Sequence, residues 1–206
     1  MAKTLIVQYA PRMDRSATRS LALHFKSVAK GSVEVLDLAH ELPPMFDEKS
    51  IAAYYKGYYN KKPLEAGEKK VFERFEKLTR QFKSADVVAV AYPMYNFSMP
   101  AAVKAYFDAI LLKGETWDMG SDGYVGLMKG KKAIIITTSG GAYNKESGTE
   151  GYDFSAPFAK TLFGFMGFDR AEVVKAEGLN MMVDKKDDIL QKAREKIDAI
   201  AKEYYA

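Results

Sequence analysis

The sequence predicts an α/β fold in three layers, a five-stranded parallel sheet with helices on both faces, and three observations carry that expectation. Short apolar runs of strand length recur at 4–9, 33–38, 87–92, 133–138 and 171–176. Longer segments with helical period lie between them, and parallel strands need such crossovers. The chain has 206 residues, 48% of them hydrophobic. That length suits one domain over 1–206, able to bury roughly 70% of the surface its unfolded chain exposes.

Taken in order, the first run is followed by a helix start near Ser16, and the second run closes a short βαβ unit. Residues 42–63, with Pro43-Pro44 and the tyrosine group Tyr54, Tyr55, Tyr58 and Tyr59, leave the simple alternation as an excursion with a helix of its own. Val71, Phe72, Phe75, Leu78, Thr79 and Phe82 then mark one face of a helix. Val103, Tyr106, Phe107, Ile110 and Leu111 mark the next. Residues 114–130 carry Trp117 and several glycines and read as a hairpin or an irregular flap. Ile189, Ala193, Ile197, Ile200 and Tyr204 mark the last helix, whose Asp187 and Asp188 complement the positive end of its dipole.

Composition excludes several classes of chemistry. There is no cysteine, which removes disulfides, thiolate nucleophiles and iron–sulfur ligation together. The two histidines, His24 and His40, fall in different segments with no partner at ligand spacing, which argues against a metal site. The formal charge is +4, and lysines alternate with glutamates along helical faces, which is a solvated surface rather than a nucleic-acid footprint. No apolar run approaches a membrane span, and the first ten residues do not resemble a secretory leader. The expected setting is the cytoplasm.

In an open parallel sheet, ligands collect outside the carboxyl ends of the strands, near the point where strand order reverses. Three loops there are unusual. After the first run, Ser16, Thr18 and Ser20 crowd a helix start together with Arg12, Arg15 and Arg19. Free amides and a helix dipole make this a phosphate site; the plainer reading is an N-cap at Ser16 with arginines in solvent. After the fourth run comes Thr137-Thr138-Ser139-Gly140-Gly141-Ala142-Tyr143. Adjacent glycines let backbone amides approach a ligand, although the pair also reads as a plain turn.

After the third run, Pro93-Met94-Tyr95-Asn96-Phe97 fills a connection where turn residues would be ordinary. Pro93 and Pro100 stiffen it. Met94, Tyr95 and Phe97 can face a planar ring, and Asn96 can read a heteroatom edge; alternatively, the aromatics fill core beneath a surface loop. A phosphate site, an aromatic wall and a glycine-amide edge at neighbouring strand ends suit flavin mononucleotide (FMN).

These residues resemble the FMN-dependent NADH-azoreductase and NAD(P)H quinone reductase family, whose fold is flavodoxin-like. The likeness runs through the hydroxyl-rich first loop, Pro93–Phe97, the segments 126–141 and 163–168, and Ala176-Glu177-Gly178. It implies phosphate binding by Ser16 and Thr18, a ring held by Pro93 and Met94 to Phe97, and ring contacts from Thr138, Ser139, Gly140, Gly141 and Tyr143. It also implies a homodimer with active sites at the subunit interface. The tyrosine group fits that too, although it reads equally as a helix packed on its own domain. Four places depart from the family: Tyr9 replaces a phosphate-contacting serine, Thr138-Ser139-Gly140-Gly141 replaces a usual Ser-Arg-Gly-Gly, Tyr143 stands where histidine is frequent, and Trp117-Asp118-Met119 replaces a Phe-Arg-Tyr stretch.

The resulting expectation is an enzyme in which the cofactor supplies the redox chemistry and no side chain is assigned as catalytic. NADH or NADPH would give a hydride to bound FMN, and a quinone or azo compound would take two electrons in a ping-pong sequence. The alternatives are a flavodoxin-type electron carrier and a flavin-binding regulatory subunit. Carriers of that kind are usually strongly acidic, whereas the isoelectric point here is about 8.9.

Overall fold

Residues that alternate along a strand face opposite layers, and in the central strands of this chain both sets are apolar. The computed structural model describes residues 1–206. The chain runs β1 (Lys3–Gln8), α1 (Ala17–Val28), β2 (Ser32–Asp37), α2 (Glu48–Tyr54), α3 (Ala66–Ser84), β3 (Val87–Pro93), α4 (Ala101–Ile110), β4 (Trp117–Gly120), β5 (Gly123–Gly126), β6 (Lys132–Thr138), α5 (Ala156–Phe165), β7 (Arg170–Ala176) and α6 (Lys186–Tyr204). Each predicted strand is found within a residue or so of its expected ends.

The main sheet has the order β2-β1-β3-β6-β7, and every neighbouring pair is parallel. This is the flavodoxin-like order, and it reverses direction between β1 and β3. Leu5, Val7, Val88, Val90, Tyr92 and Ile135 face one layer, where they meet Phe72, Phe75 and Phe82 of α3, Phe107 of α4 and Phe163 of α5. Ile6, Ala89, Ala91, Ile134 and Ile136 face the other, against Leu21 and Phe25 of α1 and Ile197 and Ile200 of α6. Each phenylalanine buried this fully contributes about 1.5–3 kcal/mol. Packing of the two layers fixes the strand ends that carry the three unusual loops.

The excursion begins with α2, capped reciprocally by Asp47 and Ser50, and continues into a π-helical turn, Tyr55–Tyr59. Its tyrosines divide. Tyr54 is buried, stacks on Phe72 with an interplanar angle of 3°, and accepts a hydrogen bond from the Lys113 amide at 2.9 Å. Tyr58 also packs on Phe72. Tyr55 and Tyr59 stack on each other at 4.9 Å and stay exposed. Residues 114–130 contain a hairpin, β4 antiparallel to β5. Trp117 and Tyr124 seat it on Phe165, and Gly126 passes so close to Gly167 that a Cβ there would lie 2.3 Å from the Gly167 nitrogen.

Candidate functional site

The loops after β1, β3 and β6 are stitched to one another by backbone and hydroxyl contacts. The Tyr9 amide donates to the Ala91 carbonyl at 2.9 Å, and the Met94 amide to the Thr138 carbonyl at 2.8 Å. The hydroxyls of Thr18 and Thr138 lie 2.7 Å apart. A cleft opens above these contacts. Of the residues singled out in the sequence, Ser16, Thr18, Pro93, Met94, Tyr95, Thr138, Ser139 and Gly140 line it. Asn96, Phe97, Gly141 and Tyr143 do not; of these, Phe97 and Tyr143 meet each other edge to face at 6.0 Å.

One end of the cleft is built for an anion. Ser16 caps α1, its hydroxyl oxygen accepting from the Arg19 amide at 3.2 Å, so the plainer reading of this residue holds. That contact leaves the hydroxyl proton available, and the amides of Ala17 and Thr18 donate to no acceptor in the chain. Thr18 is buried, and its hydroxyl lies against that of Thr138, either of which can be the donor. Arg12, Arg15 and Lys186 line the same cleft, and none of them is paired with a carboxylate, unlike Arg19, which lies 3.9 Å from Asp14. Tyr9, in the place of a serine, sets its ring edge-on to Tyr95 at 6.2 Å and so braces the next loop.

The loop after β3 is a two-residue turn. Tyr95 and Ser98 exchange amide-to-carbonyl bonds of 2.9 and 3.0 Å, with Asn96 at φ +47° and Phe97 at φ +70° between them. A turn with two left-handed residues takes asparagine readily at its first position and glycine at its second. A bulky residue held there costs about 1–3 kcal/mol. The turn leaves the Asn96 and Phe97 amides without acceptors in the chain. Burial, followed by the neighbouring Tyr9, pushes the Tyr95 phenol above its ordinary range against the pull of Arg12.

The glycine loop borders the cleft through Ser139 and Gly140. Its carbonyls are occupied: Ser139, Gly140 and Gly141 accept from Leu179, Asn180 and Gly178 at 3.1, 3.1 and 2.9 Å. Its amides at Gly140, Gly141 and Ala142 have no acceptor in the chain. A Cβ at Gly140 would lie 2.5 Å from the side-chain Nδ2 of Asn180, so that side chain would have to turn aside for any larger residue. Further out, Lys175 sits 2.5 Å from Asp153 and 3.1 Å from Glu177, tying β7 to the loop that carries Tyr143. Burial pushes Lys175 down, but the two carboxylates outweigh it and hold its ammonium above the usual range.

Leu179, Asn180 and Lys186 also line the cleft and were not anticipated. They follow the fifth strand, outside the three loops that the switch-point rule selects. The one signal in the sequence was Gly178, which takes φ +78° and turns the chain back onto Gly141.

The donor set fits FMN. Three cations without a carboxylate partner and two helix-start amides are the donors that a phosphate would need, and Met94 and Tyr95 add apolar surface in the same cleft as Gly140. A family model described as flavodoxin-like fold matches residues 2–201. An FMN-dependent NADH:quinone oxidoreductase from Nostoc sp. is 35% identical over 98% of this chain and 97% of its own length. The chain belongs to this flavodoxin-like oxidoreductase family. A Pseudomonas aeruginosa member, FMN-dependent NADH:quinone oxidoreductase 3, is 32% identical over 96% of this chain and 92% of its own. Among solved structures, an FMN-dependent NADH-azoreductase from Bacillus anthracis in complex with FMN superimposes with a TM-score of 0.87. It is 30% identical and covers 98% of this chain and 99% of that one. The family resemblance read from Pro93–Phe97 and the glycine loop is therefore correct.

Proposed function

We propose that this protein is an FMN-dependent NADH oxidoreductase that reduces quinones and azo compounds by two electrons. The observation that carries the reading is the joining, in one cleft, of the unpaired cations Arg12, Arg15 and Lys186, the Met94–Tyr95 surface and the free amide of Gly140. Bound FMN would supply the chemistry, taking a hydride from the nicotinamide and passing two electrons on.

The protein's part is binding, orientation and electrostatics. The Ser16 hydroxyl, the amides of Ala17 and Thr18, and the side chains of Arg12, Arg15 and Lys186 hold the phosphate. Pro93, Met94 and Tyr95 back the ring, and the Asn96 and Phe97 amides edge it. The amides of Gly140 and Gly141, positioned by Ser139 and the 178–181 loop, stabilise negative charge that develops on the ring; fixed dipoles do this without reorganising during the reaction. Thr138 locks the two ends together through Thr18, and Tyr143 shapes the entrance. No helix is long and apolar enough to cross a membrane, and the proposed setting is the cytoplasm.

Two copies form the working unit in this proposal. The stacked, exposed pair Tyr55 and Tyr59 supports it, since amphipathic aromatic surface suits an interface. Light scattering should report about twice the 23.0 kDa of one chain. The enzymatic reading is tested by steady-state assay with FMN, NADH and a simple quinone or azo dye. Acceptor-dependent NADH oxidation supports it; transfer only to a second redox protein would support an electron carrier.

A further inference from the structure

Lys175 stands near the carboxyl end of the edge strand β7, where a lysine pointing into solvent would be ordinary. Its ammonium instead lies 2.5 Å from Asp153 and 3.1 Å from Glu177. The Asp153 side chain is only 3% exposed, so this is not the solvated kind of ion pair that contributes little. Each carboxylate has a second task. The Oδ1 atom of Asp153 accepts from the amides of Ser155 and Ala156 at 2.9 and 3.1 Å, at the start of α5. Phe154, next in the chain, donates its amide to the Phe97 carbonyl at 2.9 Å, in the turn after β3. The Oε2 atom of Glu177 accepts from the Tyr143 amide and from the Asn144 side-chain amide, both at 3.4 Å, where the glycine loop ends. One ammonium therefore joins, at a second point, two segments that already meet through the Met94 amide and the Thr138 carbonyl.

We propose that Lys175 is a positioning residue for the redox step: by clamping Asp153 and Glu177 together it fixes the glycine loop against the turn after β3. The assignment rests on the reading of the cleft as a flavin site. Lys175 does not line the cleft and acts only through the two carboxylates. Glycine-loop amides stabilise charge on a reduced ring to the extent that they are already aimed when the charge develops. A loosened clamp spreads their orientation, so turnover suffers more than acceptor binding.

The test compares wild type with Lys175→Met and with the double variant Lys175→Met/Asp153→Asn. The single variant leaves Asp153 charged and buried without its partner and should melt lower; the double variant should recover part of that loss. The double variant also removes one charge of each sign, so a flavin potential that still lies below the wild-type value reports position rather than net charge. With FMN saturating, kcat should fall about tenfold in both variants. KM for a simple quinone should stay within about twofold of wild type. Without flavin, cleavage by a glutamate-specific protease at the exposed Glu146 and Glu150 should be about fivefold faster in both. A kcat and potential that return with the melting temperature in the double variant would make Lys175 merely structural and overturn the proposal. So would an unchanged protease rate, or a loss confined to KM. A wild-type chain that binds no FMN removes the underlying reading, while the protease comparison, made without flavin, still judges the clamp.

Discussion

The hydroxyls of Thr18 and Thr138 lie 2.7 Å apart, joining the first turn of α1 to the last residue of β6. Both residues are buried, so the pair links the anion end of the cleft to the glycine loop through a contact shielded from water. Thr18→Val should cost about 1–3 kcal/mol, because it strands the Thr138 hydroxyl without a partner. Thr138→Val should do the same from the other side. The double variant should recover part of the loss, a coupling that urea unfolding of all four proteins measures. Strict additivity would show that the two hydroxyls do not act as a pair.

Ser16 serves both the fold and the ligand, and the two roles separate in experiment. Ser16→Ala removes the cap on α1 and should lower stability by about 0.5–2 kcal/mol without flavin present. It should also weaken FMN more than riboflavin, since a hydroxyl-to-phosphate bond is charge-assisted and worth about 1.5–3 kcal/mol. Adding Thr18→Ala should bring in the loss of the Thr138 pair without a further phosphate-specific effect. Equal weakening of FMN and riboflavin in Ser16→Ala would move the phosphate elsewhere.

Kinetics follow from how the ring would be held. A flavin backed by Pro93, Met94 and Tyr95 would expose one face, so nicotinamide and acceptor should use it in turn. Double-reciprocal plots with NADH and a non-inhibitory quinone should be parallel. Intersecting lines would mean that both occupy the site together.

Alkaline pH should unfold the protein through its buried phenols. Burial pushes Tyr58 and Tyr204 up to about 12 from an ordinary 10.0, and pushes Tyr54, Tyr92 and Tyr106 higher still. Above pH 10 the unfolded chain therefore binds fewer protons than the folded one, so stability is intact below that pH and falls as pH rises toward 12. Tyrosinate absorbance should rise in two stages, exposed phenols first and the buried ones together with loss of structure. A single smooth titration of all thirteen tyrosines, with the fold intact, would contradict this.

Much of the fold was legible because the strands announce themselves as apolar runs and α3, α4 and α6 by their periodic faces. Phe72, Phe75, Leu78, Thr79 and Phe82 are all buried as their spacing requires. The cleft was readable where side chains were out of place for a turn, at Met94 and Tyr95, whereas Phe97 of the same turn lies outside its lining. Asn180 and Lys186 were not readable. Their position depends on the Gly178 turn docking against Gly140 and Gly141, a long-range contact with no local pattern. The division of the tyrosine group was hidden for a similar reason. Tyr54 and Tyr55 are neighbours in sequence, and only the packing of α3 buries one while leaving the other outside.

The most direct measurement is an absorption spectrum of the purified chain after incubation with FMN and removal of unbound flavin, recorded before and after NADH and then after a quinone. The structure predicts a retained flavin band that is lost with NADH and returns with the quinone. A chain that retains no flavin, or a bound flavin whose band NADH leaves unchanged, would contradict the assignment of this cleft to an FMN-dependent NADH oxidoreductase.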